Sequence, residues 1–137
     1  MKNLKFVFAV IICSFFLMNF TFANVDFISN LSGTYTIQQK SNSRYLDAHE
    51  TKERDYSIVT RTAQNNSTQQ WIFTPLGNHT YTIQQKKTKR FMDAHSSRGQ
   101  DFSLVTRSAQ NNNTQKWIIY TTAKDTYTIQ QKSTGRF

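Results

Sequence analysis

Residues 64–71 read "QNNSTQQW", and residues 110–117 read "QNNNTQKW": the same amide-rich phrase closes on the same tryptophan 46 residues later. One such phrase marks a polar turn; two at a fixed interval mark a repeat. Working outward, "GTYTIQQKSNSRYLDAHETKERDYSIVTRTAQNNSTQQWIFTPLGN" from Gly33 aligns without a gap with "HTYTIQQKKTKRFMDAHSSRGQDFSLVTRSAQNNNTQKWIIYTTAK" from His79, with about half the positions identical. A third copy, "DTYTIQQKSTGRF", opens at Asp125 and stops at Phe137, well short of a full unit. The repeats are therefore 33–78, 79–124 and a truncated 125–137. An interval between 20 and 50 residues belongs to architectures whose unit cannot bury its apolar face alone and stacks on its neighbours.

Each unit holds four short runs, "TYTIQQK", "RYLDAH", "DYSIVTR" and "QWIF" in the first, separated by polar turns such as "SNS", "ETKER" and "AQNNST". Their β-branched and aromatic residues alternate with period two, and no stretch shows a helical period, so the chain is expected to be all-β. Alternation sends Tyr35, Ile37, Leu46, Ala48, Tyr56, Ile58, Trp71 and Phe73 inward, and Asp47, His49 and Ser57 outward. Four strands per unit and about three units suit a three-fold barrel better than a propeller, which usually has at least four blades, or a solenoid, for which a 46-residue coil is long.

Residues 1–23 stand apart. Lys2 and Lys5 lead into the apolar run "FVFAVIICSFFLMNF", which closes on the small-residue ending "TFA" at Ala23. This is the pattern of a secretory signal peptide, and the apolar run is shorter than the roughly 20 residues a membrane span needs. Residues 1–23 are thus expected to be removed, leaving a domain at 24–137 that is extracellular or periplasmic and has no membrane span. The one cysteine, Cys13, lies in the leader, so the mature domain must hold by packing without disulfides. Removing Lys2 and Lys5 leaves 15 basic residues against 8 acidic ones, a formal +7 that suits acidic glycans or other anionic surfaces.

A Gln-x-Trp closing each 46-residue unit, with an Asp in "YLDAH" or "FMDAH" about two dozen residues earlier, resembles the ricin-type β-trefoil lectins. The resemblance covers Tyr35 to Phe137. It implies a six-stranded barrel capped by one hairpin per repeat, with a shallow sugar site on each repeat and core roles for Trp71 and Trp117. The family's sugar-binding Asp falls on Asp47 and Asp93, and its motif Gln on Gln69 and Gln115. A carboxylate accepts two adjacent sugar hydroxyls, while an amide both donates and accepts and fixes the carboxylate's orientation. His49 and His95 follow the Asp by two positions and share its strand face, which suits a hydroxyl donor. The sequence departs from the family at two places. Val59 and Val105 stand where it stacks an aromatic on the sugar, and Thr68 and Thr114 where it has Asn. Tyr45 and Phe91, or Tyr56 and Phe102, are candidate substitutes for the ring, and Asn66 and Asn112 for the amide.

The expected function is carbohydrate binding at two shallow sites, for galactose-type or related glycans. The alternative is a trefoil that binds or inhibits a protein, or a non-catalytic fragment of a larger toxin or glycosidase. No nucleophile elbow, phosphate-binding glycine loop or zinc motif is present, no cofactor is called for, and one His with one Asp per repeat falls short of a metal ligand set. Asp47 and Asp93 belong to different repeats and so cannot form a glycosidase pair, whose carboxylates lie within about 10 Å. The basic run "KKTKR" at 86–90 reads as a solvated turn rather than a nucleic-acid contact.

A truncated third repeat lacks its last barrel strand and exposes an edge. "VDFISNLSGTYTIQQ" from Val25 aligns gap-free with "WIIYTTAKDTYTIQQ" from Trp117, placing Phe27 opposite Ile119. Residues 25–29 are therefore expected to take the missing strand's place beside Tyr35 and Tyr127. If the trefoil does not close in this way, a dimer is the expected alternative.

Overall fold

The computed structural model describes residues 26–27 and 30–137; the expected signal peptide lies outside them. The chain is all-β, with strands β1 Asp26–Phe27, β2 Gly33–Tyr35, β3 Tyr45–Ala48, β4 Ile58–Arg61, β5 Trp71–Gly77, β6 Thr80–Gln85, β7 Phe91–Ala94, β8 Leu104–Arg107, β9 Trp117–Ala123 and β10 Thr126–Gln131. Strands β5 and β6 form a hairpin that runs from Trp71 opposite Gln85 to Gly77 opposite Thr80, and β9 and β10 form its counterpart one repeat later. Asn78 and His79, at the tip of the first hairpin, both have positive φ. A type I′ turn requires this, because its twist matches that of the flanking strands.

Strand β2 pairs with β5, and β6 pairs with β9, so the wall of the barrel runs β10, β9, β6, β5, β2. The shorter hairpins β3–β4 and β7–β8 cap one end and meet through a bridge between Ser57 and Val105. Each cap is tied to the wall by a tryptophan. Trp71 Nε1 donates to the Leu46 carbonyl at 3.0 Å, and Trp117 Nε1 to the Met92 carbonyl at 3.1 Å. Around these indoles Ala48, Phe73, Tyr81, Ile83, Met92 and Ile119 form the buried core, with Ile37, Leu46 and Ile58 packed on its margin.

The thrice-repeated "TYTIQQ" meets three environments. In β6, flanked by β5 and β9, Tyr81 is 1% exposed and Ile83 and Gln85 fully buried. In β2 and β10, each with a single neighbour, Tyr35 is 40% exposed and Tyr127 49%. The expectation that Tyr35 points into the core is therefore corrected: its ring meets Phe73 edge-on and its hydroxyl donates to the Ser32 carbonyl at the rim. Neighbouring strands, not the residues themselves, decide burial here.

The expected closure by residues 25–29 is also corrected. Asp26 and Phe27 do form a strand, but it pairs with Thr121 and Tyr120 of β9, on the side that β6 occupies farther along. Phe27 stacks on His79 at 4.3 Å and tilts against Tyr120, and at 44% exposure it does not fill a place equivalent to Ile119, which is 2% exposed. An aromatic surface beside the β5–β6 turn holds the segment, and among the described residues β2 and β10 keep one unpaired edge each.

The three equivalent isoleucines offer a direct test of this wall order. Ile83→Ala is expected to cost about 2–5 kcal/mol of unfolding free energy, the range for a fully buried aliphatic truncation, and Ile37→Ala clearly less. Urea unfolding of the two variants checks it, and equal losses would contradict the order of strands.

Candidate functional site

The phrase that ends each repeat folds into one compact turn. Residues Ser67–Gln69 form a single 3-10 turn capped by Asn66, whose Oδ1 accepts from the Thr68 N–H at 3.2 Å and the Thr68 hydroxyl at 2.7 Å. The Asn66 amide nitrogen donates in turn to Gln64 Oε1 at 3.0 Å. Asn112, Thr114 and Gln110 repeat the arrangement. Both asparagines are exposed, yet their amides already hold the turn together.

Gln69 and Gln115 are buried beneath these turns. Gln69 Oε1 accepts from the Gln64 N–H at 2.8 Å, and its Nε2 donates to the Thr62 carbonyl at 2.9 Å and to Asp47 Oδ2 at 3.5 Å. Gln115 does the same with Gln110, Ser108 and Asp93, at 2.9, 2.9 and 3.2 Å. One amide thus closes a loop on both sides and reaches the carboxylate of the cap strand. Primary amides suit this task because they carry a donor and an acceptor on one planar group.

Asp47 and Asp93 correct the expectation that they face outward: they are 3% and 2% exposed. Alternation does turn them away from the core, but the folded-back turn covers that face as well. A buried carboxylate is costly unless hydrogen-bonded. Asp47 Oδ1 accepts from the Ala48 N–H at 2.8 Å, and Oδ2 faces Arg61 Nε at 3.5 Å in addition to Gln69. Asp93 accepts from the Ala94 N–H at 2.8 Å. Among the described residues no buried side-chain nitrogen or oxygen is left without a partner.

Sequence pattern alone did not single out Arg61 and Arg107, although both close the repeated "VTR". Arg61 Nη2 lies 3.4 Å from the ring nitrogens of His49, and Arg107 Nη2 lies 3.2 Å from those of His95. The two sites then differ. His95 Nε2 also meets Asp55 Oδ2 at 2.9 Å across the repeat boundary, whereas Arg61 and His49 face solvent with no second carboxylate of this kind among the described residues. Asp55 belongs to the exposed loop that also carries Glu53. Glu53's own backbone N–H, and then the Thr51 hydroxyl, hold its carboxyl below the ordinary value.

Beside Gln69 the surface dips into an open depression of 410 Å³ lined by Thr36, Tyr45, Ala63, Gln64, Asn65 and Gln69. It offers one half-buried ring, two exposed amides and backbone groups, a set suited to a small hydroxyl-rich ligand. Tyr56 and Phe102 are not free to supply the ring on both faces, since Arg90 and Arg136 lie over them at 3.6 and 3.7 Å. Val59 and Val105, opposite Asp47 and Asp93 in the cap hairpins, are half-buried and buried. Among the described residues no three His, Cys, Asp or Glu side chains gather to hold a metal ion, and no helix is long and apolar enough to cross a membrane.

Comparison with known proteins places the fold and the family. The model of the ricin-type beta-trefoil lectin domain-like family matches residues 19–105. Among solved structures, ThreeFoil, a designed three-fold symmetric protein, superposes with a TM-score of 0.69 at 16% identity, over 75% of this chain and 75% of that one. A Polyporus squamosus lectin bound to a human-type influenza-binding epitope gives 0.67 at 22% identity, over 77% of this chain and 38% of its own. An exo-beta-1,3-galactanase from Clostridium thermocellum gives 0.63 at 20% identity, over 80% of this chain and 24% of its own. The chain thus spans well under half of that lectin and about a quarter of that enzyme. No curated protein matches it.

Replacing Gln69 or Gln115 by Ala leaves the bonded partners of one amide without it. Either change is expected to lower unfolding free energy by about 1–3 kcal/mol, the cost of an unsatisfied buried polar group, and to open the 62–66 or 108–112 loop to protease. Thermal unfolding and limited proteolysis check it; unchanged stability would mean the amide does not hold the loop.

Proposed function

Because the chain belongs to the ricin-type beta-trefoil lectin domain-like family, we propose that it is a secreted carbohydrate-binding module with two shallow sites, one per complete repeat. The family match carries this reading. The matched residues include the Asp47–Gln69 network, the depression beside it and Asp93. The module begins after the leader at residue 24, acts outside the cytoplasm and performs no reaction of its own. Its ligands are galactose-type or related glycans displayed on polysaccharide or glycoprotein.

In each site the buried Asp and Gln set the shape of the turn rather than lie open, and the ligand meets what they hold in place. In the first repeat that is Tyr45, Gln64 and Asn65, with Arg61 and His49 to one side. The second repeat supplies Phe91, Gln110 and Asn111 by its 46-residue equivalence. Arg61 and His49 lie beside the first site, with Arg61 paired to Asp47, and in the second repeat His95 meets Asp55. The Polyporus squamosus lectin was solved with a sialylated glycan, which supports a search among acidic as well as neutral glycans. Two weak sites on one rigid body bind a multivalent surface more tightly than either does alone.

The burial of Asp47 and Asp93 favours one other reading, a trefoil whose partner is a protein. Its contacts would fall on the loops that differ between repeats, "ETKERD" at 50–55 and "SSRGQD" at 96–101, and sugar binding would be incidental.

A glycan array with the 24–137 protein separates the two. Binding to galactose-type or acidic glycans is expected. Tyr45→Ala or Phe91→Ala alone should weaken apparent affinity about 100-fold through lost avidity, and the pair together should abolish binding while the protein stays folded. No glycan bound, or no effect of the folded double variant, would move the assignment to the protein-binding reading.

A further inference from the structure

The phrase that closes each repeat differs at two positions only: Ser67 and Gln70 in the first, Asn113 and Lys116 in the second. The contacts around those positions are otherwise matched. The Gln70 N–H closes its turn on the Ser67 carbonyl, as the Lys116 N–H does on the Asn113 carbonyl. The next strand then crosses the seam in the same way. The Lys86 N–H donates to the Gln70 carbonyl and the Lys132 N–H to the Lys116 carbonyl, each at 2.8 Å. Gln85 Nε2 donates to the Thr68 carbonyl and Gln131 Nε2 to the Thr114 carbonyl, each at 2.9 Å. The change of side chain at 70 and 116 can therefore be compared like for like.

In the first seam Gln70 Oε1 accepts from Lys86 Nζ at 2.8 Å, so an amide receives the ammonium that the next strand brings. In the second seam position 116 is itself an ammonium, and Lys132 cannot donate to it. Like charges repel most at short range. Lys116 bends back onto its own turn, where its Nζ donates to Asn113 Oδ1 at 3.1 Å. The two residues that differ between the phrases are thus the two that bond to each other. Among the described residues neither Lys116 nor the exposed Lys132 is ion-paired; the pairs there are Arg61 with Asp47 and His95 with Asp55. The first seam presents one ammonium and holds it across the repeat boundary, while the second presents two.

We propose that Lys116, supported by Lys132, sets the specificity of the second site, and receives an acidic substituent, a sulfate ester or a carboxylate, carried by a glycan seated on the 110–115 turn. The inference rests on the sugar-binding reading above and divides its two sites into a neutral one at Gln70 and an anionic one at Lys116. Asn113 is an uncharged partner, so an arriving anion gives Lys116 a bond with charge on both sides, the stronger kind. The same anion relieves the repulsion between the two lysines. The first seam has no second ammonium to relieve.

The test is an NMR titration of the 24–137 protein with a neutral galactoside and with its sulfated and sialylated forms, reading Kd from the amides of 62–66 and of 108–112 separately. At 108–112 at least one acidic form should bind about fivefold tighter than the neutral one, the gain of exposed ion pairs, and added salt should erase the difference. At 62–66 no such preference is expected. Lys116→Gln, which restores the residue of the first repeat, should abolish the preference without loss of fold. Ser67→Asn with Gln70→Lys should create it at 62–66. Lys124→Gln, which removes the same charge at the far end of β9, should leave it intact. Equal ratios at the two turns, a preference that survives Lys116→Gln, or one lost with Lys124→Gln would overturn the proposal. Inorganic sulfate that saturates 108–112 as tightly as the sulfated sugar would overturn it too, by giving the site to a free ion. If no galactoside moves either turn, the sugar-binding reading falls as well; neutral and acidic forms bound equally at 108–112 overturn this inference alone.

Discussion

The indole N–H of Trp71, bonded to the carbonyl of Leu46, is the contact on which the rest of the molecule depends. It spans 25 residues and crosses from the barrel wall to the cap. The short strands of one repeat could not bury a core by themselves. Stitched cap to wall, and then repeat to repeat, they can. Trp117 and Met92 repeat the stitch, and the conformation of everything between the two partners, including the Asp-bearing strand and the polar turn, is fixed by it.

The glutamine two positions before each tryptophan uses the same anchorage for a different end. With the indole seated, the side chain of Gln69 is delivered beneath the turn, where it bonds Thr62, Gln64 and Asp47 together. Core packing is thereby coupled to surface shape. The depression at Tyr45 and Gln64 sits on a buried, fully bonded network instead of on a free loop. A surface held in this way lowers the ordering cost of any ligand that meets it.

Much of this was legible in the sequence. The repeat, the all-β character and the Gln-x-Trp units could be read because two 46-residue units align without any gap at about half identity, and the period-two pattern of "TYTIQQ" and "QWIF" is local. What could not be read depends on neighbours far along the chain. Tyr35, Tyr81 and Tyr127 sit in identical hexapeptides and differ only in how many strands flank them. Asp47 alternates as a surface residue should, yet is covered by the turn that carries Gln69, distant in sequence, whose fold-back no strand rule describes. Phe27 matched Ile119 in register but prefers the rings of His79 and Tyr120, a contact that alignment does not encode. Arg61 and Arg107 were visible as "VTR" but stood out only once His49 and His95 were seen beside them.

The central functional claim is that a glycan settles on the turns held by Gln69 and Gln115. Mapping backbone amide shifts by NMR during titration with a galactose-type or acidic oligosaccharide tests it most directly. Saturable shifts confined to residues 62–66 and 108–112, with Tyr45 and Phe91, are the predicted result. Shifts at 50–55 and 96–101 alone would contradict it.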